Sequence, residues 1–485
     1  MTTFIQPDQE ALSLNLASDD YGMLTDLYQL KMAACYVGEG LDQRPASFEL
    51  FVRRLPDQFG YLIAMGLEQV LDYLDHFRFN SGHVDTLKAT GLFEHAPDAF
   101  WELLQRASFS GDVWAVPEGT AIFAHEPLLR IEAPLWQAQI VETYVLNTLN
   151  YQTLIATRAA RLRDVAGEEA RLLEFGTRRA FSPQASIWAA RAAIAGGLDA
   201  TSNVFAALQL GQLPSGTMAH ALVMALSALE GSEDDAFHAF HRYFPNAALL
   251  IDTYDSIAAA RRLAEQVQSG DMSVPAVRLD SGDLVAQSKQ VRSLLPDARI
   301  FASGDLDEAE IMRLRHEGAC IDGYGIGTKL VTGQPVNGVY KLVDIDGIPT
   351  MKASSGKMTY PGRKQIFRRR NLDGIVQGDR LGLMTEMTSV AASLPGQSAS
   401  EFPLEELPLL KQVMKNGQRV SEPETPETIE AIAQRTRQSV NTLPMAVRSI
   451  QHPRELSVQP SKALQALTQQ TQHRIQTHTL MGDRA

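Results

Sequence analysis

Between residues 171 and 328 the chain repeats one pattern, a short apolar run closed by Gly, Asp, Ser or Thr and then a helical segment. The runs are "RLLEFGTRR" (171–179), "LDATSN" (198–203), "LPSGTMAH" (213–220), "ALLIDTYDS" (248–256), "AVRLDSGD" (276–283), "RIFASGD" (299–305) and "IDGYGIGT" (321–328). Strands that alternate with helices are expected to lie parallel, since a parallel neighbour is reached only through a long crossover. Seven such units at roughly 25-residue spacing predict a (β/α) barrel, open or incomplete. In such barrels the loops after the strand C-termini build the active site. The polar clusters that close each run are therefore where functional side chains are expected.

The flanks follow other patterns. Residues 1–20 read as a flexible polar leader, and "LTDLYQLKMAACYV" (24–37) has the three- and four-residue apolar spacing of a helix starting near Thr25 or Asp26. "ASFELFV" (46–52) alternates as a strand and "YLIAMGLEQVLDYLDHF" (61–77) returns to helix. "DVWAV", "TAIFA" and "LLRIEA" are short strands within 112–133. Residues 21–135 are thus expected to form an N-terminal mixed α+β domain, which the chain rejoins over 335–392. There "GVYKLVDIDGIPTMKAS" (338–354) predicts a hairpin around Asp346-Gly347. The α/β barrel would occupy 136–334, entered through a long helical stretch near 137–165. Residues 393–425, rich in Pro, Ser and Glu, read as a connector; a helix near 426–441 and a polar tail complete a C-terminal helical region over 393–485.

Composition narrows the function classes. A formal net charge of −13 disfavours a general nucleic-acid binder, because phosphate backbones demand an excess of Lys and Arg on one face. No apolar stretch approaches the ~20 residues of a membrane helix, so no membrane partner is expected. The first residues lack the basic and apolar regions of a secretory signal. Cys35 and Cys320 are the only cysteines and form no CxxC pair, which encodes neither a disulfide framework nor a thiolate zinc site. A cytoplasmic protein is expected.

Each polar strand end admits a functional and a structural reading. "EFGTRR" places Arg178 and Arg179 after an apolar run, where guanidinium groups suit bidentate phosphate or carboxylate recognition or simply feed the next helix from the surface. "IDTYDS" and "RLDSGD" offer Asp252, Asp255, Asp280 and Asp283 beside Arg278. Carboxylates there can hold Mg²⁺ through water or accept ribose hydroxyls, and can equally serve as turn and helix-cap groups. "GYGIGT" carries Gly325, Gly327 and Thr328, which allow close approach of a phosphate or a tight strand; it is not a Walker A sequence. In "LPSGTMAHALVMAL" (213–226) His220 stands alone in an apolar run, about one turn into a helix capped by Ser215 or Thr217. As an isolated residue it reads as packing, and no HExxH partner supports zinc. Near a helix N-terminus, however, phosphate added to its ring would find amide donors and a favourable dipole.

Taken in order, "LTDLYQLKMA", "FELFVRRLP", "EFGTRRAFSPQAS", "GGLDATSNVFAALQLG", "SGTMAHALVMAL", "IDTYDS", "VRLDSGDL", "DGYGIGTKLV" and "YKLVDIDGIPTMKASSGKMTYPGRKQIFR" closely resemble the nicotinate phosphoribosyltransferase family over about residues 21–370. The resemblance implies an α/β fold, the irregular (β/α) barrel of type II phosphoribosyltransferases, with the N-terminal mixed domain and a C-terminal helical extension. It also implies a homodimer with shared active sites. The implied reaction joins nicotinate to phosphoribosyl pyrophosphate, giving nicotinate mononucleotide and pyrophosphate for NAD salvage, coupled to ATP hydrolysis. Mg²⁺ would offset the pyrophosphate charge.

By the same resemblance His220 is the histidine that ATP phosphorylates, and Asp252 and Asp280 are the carboxylates for ribose and Mg-pyrophosphate. Tyr28, from the partner subunit, and Phe175 would sandwich the pyridine ring, with Arg278 and Thr217 on its carboxylate. Arg178 would bridge pyridine and phosphate, and Gly325, Gly327 and Thr328 would cradle the 5′-phosphate. Ser202 falls where nicotinamide-using relatives carry an aspartate, with Asp199 nearby as the alternative match; a neutral residue there favours the acid. The alternatives are a nicotinamide phosphoribosyltransferase and a non-catalytic pyridine-nucleotide sensor on the same barrel. A quinolinate enzyme would need a richer basic pocket, and a barrel hydrolase or aldolase would need a lysine or a histidine cluster at the strand ends.

Overall fold

A six-stranded parallel sheet forms the barrel half of the computed structural model, which describes residues 14–354, 357–387, 405–420 and 427–482. Its strands lie in the order Ala200–Thr201, Arg171–Glu174, Gly323–Ile326, Arg299–Ser303, Ala276–Leu279, Leu249–Leu250, every adjacent pair parallel. Leu172, Val277, Leu279, Ile300, Ala302 and Ile326 are fully buried, as expected of strands covered on both faces. Six of the predicted runs are therefore strands. The exception is "LPSGTMAH": residues 212–219 have no regular structure, and the Ser215 N–H donates to the Thr201 carbonyl at 2.9 Å. Pro214 removes a ladder donor and Gly216 offers no side chain to pack, so this run does not hold a strand. No described strand joins Ala200–Thr201 to Leu249–Leu250, and the sheet stays open there.

A second sheet of seven antiparallel strands makes the core of the N-terminal half. Its order is Ile348–Pro349, Gly338–Ile345, Pro45–Val52, Pro127–Pro134, Asp112–Ala115, Lys411–Lys415, Gln418–Arg419. Residues from both sides of the barrel thus share one sheet. The hairpin turns through Asp346 (φ 55°) and Gly347 (φ 74°), two successive left-handed residues of the kind that match the strand twist. The alternating strand Pro45–Val52 has no wet face. Glu49, on its polar side, is fully buried and pairs with Lys364 at 2.8 Å, because the sheet of Glu405–Pro408, Lys364–Arg370, Val376–Leu383 and Val458–Pro460 comes against it. Burial pushes the Lys364 ammonium below its usual value despite the attraction of Glu49.

The 25-residue helix Glu142–Ala166 ties the two halves together. Tyr144, Val145, Leu149 and Leu154 sit in the N-terminal core, whereas Ile155, Ala156, Ala159, Ala160 and Leu162 sit in the barrel core. Its two ends thus bury their apolar residues in different cores, which fixes one half against the other.

Several local expectations need correction. The helix expected over 61–77 begins only at Leu67, because Gly66 adopts φ 105° and Leu62–Ile63 pairs as a strand with Ala121–Ile122. The leader is not uniformly irregular. Residues 1–13 lie outside the described part, but Ser18–Met23 forms a 3₁₀ turn that Asp20 fastens to His83 at 3.0 Å. The connector at 393–425 contains strands Glu405–Pro408, Lys411–Lys415 and Gln418–Arg419, which complete two sheets; its residues 393–404 and 421–425 lie outside the described part. Strands this short and this rich in charged and polar residues carry little apolar signal, so composition alone missed them. The polar tail is largely the helix Lys462–Gly482, which follows Ile429–Asn441.

Candidate active site

Phe175, Thr217, Arg278 and Gly325 line one cavity of about 380 Å³ inside the barrel sheet, with Ser215 and Ser303 beside them. Such a volume suits a small ligand. Arg278, on the strand Ala276–Leu279, organises this site. Its Nε donates to Ser303 Oγ at 2.7 Å, one terminal nitrogen to Thr217 Oγ1 at 3.2 Å, and the other to Asp280 Oδ1 at 2.6 Å. The guanidinium also stands 5.5 Å from the centre of the Phe175 ring. Three fixed bonds and an aromatic neighbour hold a flat cation in one orientation at the cavity wall.

Gly325 has a different reason to be glycine than phosphate approach. It lies inside the buried strand Gly323–Ile326, and a Cβ there would sit 2.5 Å from the Phe175 ring. The ring needs that space. Gly325→Ala is accordingly expected to displace Phe175 and, with the substrates that the resemblance implies, to raise KM for the pyridine about tenfold with little change in KM for the phosphoribosyl donor. Steady-state kinetics with each substrate varied in turn checks this; an unchanged pyridine KM would show that the ring does not depend on Gly325.

The carboxylates converge on the same rim. Asp252 Oδ2 accepts the Asp280 N–H at 2.9 Å and the Ser281 hydroxyl at 2.7 Å, while its Oδ1 is buried without a partner. Burial raises the Asp280 carboxyl, but the Ser303 hydroxyl and Arg278 outweigh it and hold Asp280 below the usual carboxylate value, with His220 acting in the same direction. Asp280 therefore stays ionised near neutral pH. His220 is the first residue of helix His220–Glu230, behind Ala219 and not a full turn inside; neither Ser215 nor Thr217 caps it. Its Nδ1 lies 3.1 Å from Thr253 Oγ1 and its Nε2 3.9 Å from Asp280 Oδ2. Asp255 and Asp283 each accept two amide hydrogens at the start of the next helix, so for these two the capping reading holds.

Gly327 and Thr328 follow the strand Gly323–Ile326 on the same rim, with Thr328 exposed. Three further residues stand apart from the cavity wall. Arg178 is exposed in the 3₁₀ turn Thr177–Arg179, Ser202 follows its strand on the adjacent rim loop with its N–H on the Glu174 carbonyl at 3.0 Å, and Tyr28 sits 48% exposed on the helix Leu27–Gly38 of the other half. Asp199 precedes its strand and is held at the opposite end of the sheet by Arg163 at 2.6 Å, which removes it as the counterpart of Ser202. Ser303, Thr253 and Ser281 escaped sequence reasoning. Ser303 closes the run "RIFASGD" and was open to discovery on position alone.

Among the described residues no three His, Cys, Asp or Glu side chains gather closely enough to cage a metal. The pair Asp252 and Asp280, with its unpartnered oxygen, instead suits a Mg²⁺ ion that keeps its waters and the substrate's phosphates as main ligands.

Known proteins share this sequence and fold. Family models described as the nicotinate phosphoribosyltransferase (NAPRTase) N-terminal domain, the NAPRTase family and the nicotinate phosphoribosyltransferase C-terminal domain match residues 23–150, 170–358 and 363–468. Nicotinate phosphoribosyltransferase pncB2 of Mycobacterium tuberculosis is 40% identical over 440 residues, 88% of this chain and 89% of that one. The Bacillus subtilis nicotinate phosphoribosyltransferase is 43% identical over 397 residues, covering 78% and 79%. The crystal structure of human nicotinic acid phosphoribosyltransferase superposes with a TM-score of 0.78 at 30% identity, covering 92% of this chain and 99% of that one. With three successive domains matched and the barrel, its rim and its cavity in place, this chain belongs to the nicotinate phosphoribosyltransferase family.

Proposed function

We infer that the chain joins nicotinate to phosphoribosyl pyrophosphate, releasing pyrophosphate and forming nicotinate mononucleotide for NAD biosynthesis. The observation that carries this reading is the Arg278 guanidinium, fixed by Ser303, Thr217 and Asp280 and 5.5 Å from the centre of the Phe175 ring, both lining one small cavity. A cation so held would favour an anionic pyridine, and the neutral Ser202, with Asp199 bound to Arg163 instead, supports the acid over the amide.

In the reaction the pyridine nitrogen attacks ribose C1 as the C1–O bond to pyrophosphate breaks, through a transition state with oxocarbenium character. Phe175 and Arg278 fix the ring, and alignment of the two reacting atoms supplies much of the acceleration. Asp280 and Asp252 would hold the ribose hydroxyls and offset the positive charge that develops on the ring. Mg²⁺, held by Asp280 largely through pyrophosphate, would neutralise charge on the leaving group. Gly327 and Thr328 would take the 5′-phosphate, with Arg178 swinging from its exposed turn to bridge it to the ring.

His220 supplies the coupling to ATP in this reading. An imidazole nitrogen takes the γ-phosphoryl group, an N–P bond forming as ADP leaves, and water later returns the histidine with release of orthophosphate. The helix N-terminus at His220 favours the added negative charge, and Thr253 orients the ring. The new charge would stand beside Asp280 and repel it, which gives phosphorylation a direct lever on the Arg278 network. The shared site of a homodimer would bring Tyr28 of the partner subunit over the pyridine. In support, Phe181, Phe205, Leu208 and Leu213 are more than half exposed, a large apolar surface for a lone chain. No helix among the described residues is long and apolar enough to cross a membrane, in keeping with a cytoplasmic enzyme.

Incubation with phosphoribosyl pyrophosphate, Mg²⁺ and either pyridine, with and without ATP, tests the whole reading through mononucleotide and ADP yields. Turnover of the amide in preference to the acid would overturn the substrate assignment. ATP is further expected to label the protein with an acid-labile phosphate, and His220→Ala to remove that label and the ATP stimulation together. Label retained in His220→Ala would place the acceptor elsewhere.

A further inference from the structure

Glu174 is the last residue of its strand, fully buried, and has no part in the chemistry above. Its partners are neutral donors. One carboxylate oxygen accepts the Gly176 N–H, and the other accepts the Thr201 hydroxyl at 2.5 Å. Thr201 Oγ1 in turn accepts the Asn203 N–H at 3.0 Å, and the Glu174 backbone carbonyl takes the Ser202 N–H at 3.0 Å. Asn203 then caps the helix Val204–Gln209 through Ala206 at 3.0 Å. A single side chain therefore straps two adjacent rim loops together, one carrying Phe175 and the other Ser202.

The space around it permits little else. A Cβ on Gly176 would meet Glu174 Oε1 at 2.8 Å and Val331 at 2.4 Å, so the turn after Phe175 is pressed against the carboxyl. Burial pushes the Glu174 carboxyl above its ordinary value, with the Thr201 and Gly176 bonds opposing. An uncompensated acid in a barrel interior is an expensive choice for packing alone, and a hydrophobic residue of similar volume would fill the same space.

We propose that Glu174, through Thr201, is a positioning residue for the pyridine subsite, setting the angle of Phe175 against Arg278 and the height of the Ser202 loop. The proposal rests on the assignment of the cavity to the pyridine substrate. It predicts a selective effect. Glu174→Gln keeps the shape but offers one acceptor where two are needed, and should raise KM for the pyridine about tenfold. KM for phosphoribosyl pyrophosphate and the ATP-derived label on His220 should stay near wild type. Thr201→Val should reproduce the effect, and Thr201→Ser, which retains the hydroxyl, should restore the pyridine KM.

Two readouts keep this separate from the functional assignment. Kinetics are run with nicotinate and with nicotinamide, and amide hydrogen exchange is followed over residues 175–178 and 201–204 in the substrate-free protein. Faster exchange in both loops with a selective rise in pyridine KM supports the proposal. A rise in both KM values, loss of the His220 label, or a Thr201→Ser variant no better than Thr201→Val would make Glu174 a general structural residue and overturn it. If wild-type protein turned over neither pyridine, the functional assignment would fall, and unchanged exchange in Glu174→Gln would still sink the strap. Should Glu174→Gln not fold, the Thr201 pair decides the matter alone.

Discussion

Arg278→Ala is expected to lower kcat/KM for nicotinate by about a hundredfold or more, equivalent to ~3 kcal/mol of lost transition-state binding. Two effects add. In the proposed pocket the substrate carboxylate would lose its cation, and Asp280, whose Oδ1 sits 2.6 Å from the guanidinium, loses one of the two groups, with the Ser303 hydroxyl, that hold it ionised and in place. Arg278→Lys should recover little, because a lysine ammonium cannot bond Ser303, Thr217 and Asp280 at once from a planar fork. Turnover of nicotinamide should fall much less, since the amide carries no charge for Arg278 to pair. Measuring kcat/KM for both pyridines in both variants therefore separates carboxylate recognition from loop support. Equal losses for acid and amide would show that Arg278 only supports Asp280.

The second large effect concerns stability. Arg368 and Asp379 form a buried ion pair, at 2.6 Å, with side chains 2% and 0% exposed. The guanidinium also lies 5.3 Å from the centre of the Phe123 ring. Asp379→Ala would leave that cation in the interior, a change expected to destabilise the fold by about 3–5 kcal/mol. Glu126 moderates the outcome. It is fully buried beside the pair, accepts the Phe123 N–H at 2.8 Å, and has its carboxyl pushed well above the usual value by burial and by the charge of Asp379, against the pull of Arg368. Its carboxyl therefore binds a proton more tightly in the fold than in the unfolded chain. Without Asp379 it can ionise beside the freed guanidinium, so Asp379→Ala combined with Glu126→Gln should lose more than Asp379→Ala alone.

The sign of the pH dependence follows from the same group. A carboxyl with a raised folded-state pKa contributes stability that is complete below the ordinary glutamate range and is lost as pH rises through the folded value. Glu126→Gln, neutral at every pH, should match wild type in acid and exceed it at alkaline pH. Denaturant midpoints across that range test all three variants. A flat difference between Glu126→Gln and wild type would mean Glu126 is ionised in the fold.

How far the sequence carried the fold depends on which residues are asked. Parallel barrel strands were legible because their residues are apolar on both faces and punctuated by polar ends, and six of the runs occupy strands. The Asp346-Gly347 hairpin was legible because its turn needs left-handed backbone. The strands within 405–419 were not. Glu405–Pro408 and Lys411–Lys415 pair with Lys364–Arg370 and Asp112–Ala115, some 40 to 300 residues away, which leaves no local pattern; Gln418–Arg419 pairs locally with Lys411–Lys415 through the left-handed Asn416-Gly417 turn, a signal that was passed over. The failure of "LPSGTMAH" as a strand is local chemistry that the rhythm of its neighbours concealed.

The same division runs through the site. That polar groups gather at the strand ends, and that His220, Asp252, Asp280, Arg278 and Thr217 belong among them, follows from periodicity and from family resemblance, because side chains closing parallel strands share one rim by construction. Which of them touch was decided only in three dimensions. Register places Ser303 beside Arg278 and Asp280 through the pairing of Arg299–Ser303 with Ala276–Leu279, turns Gly325 toward the Phe175 ring, and sends Asp199 to the far end of the sheet. Residue type and spacing set the available chemistry, whereas strand register, with its fixed rise and alternation, set the contacts that give each group its charge state and its aim.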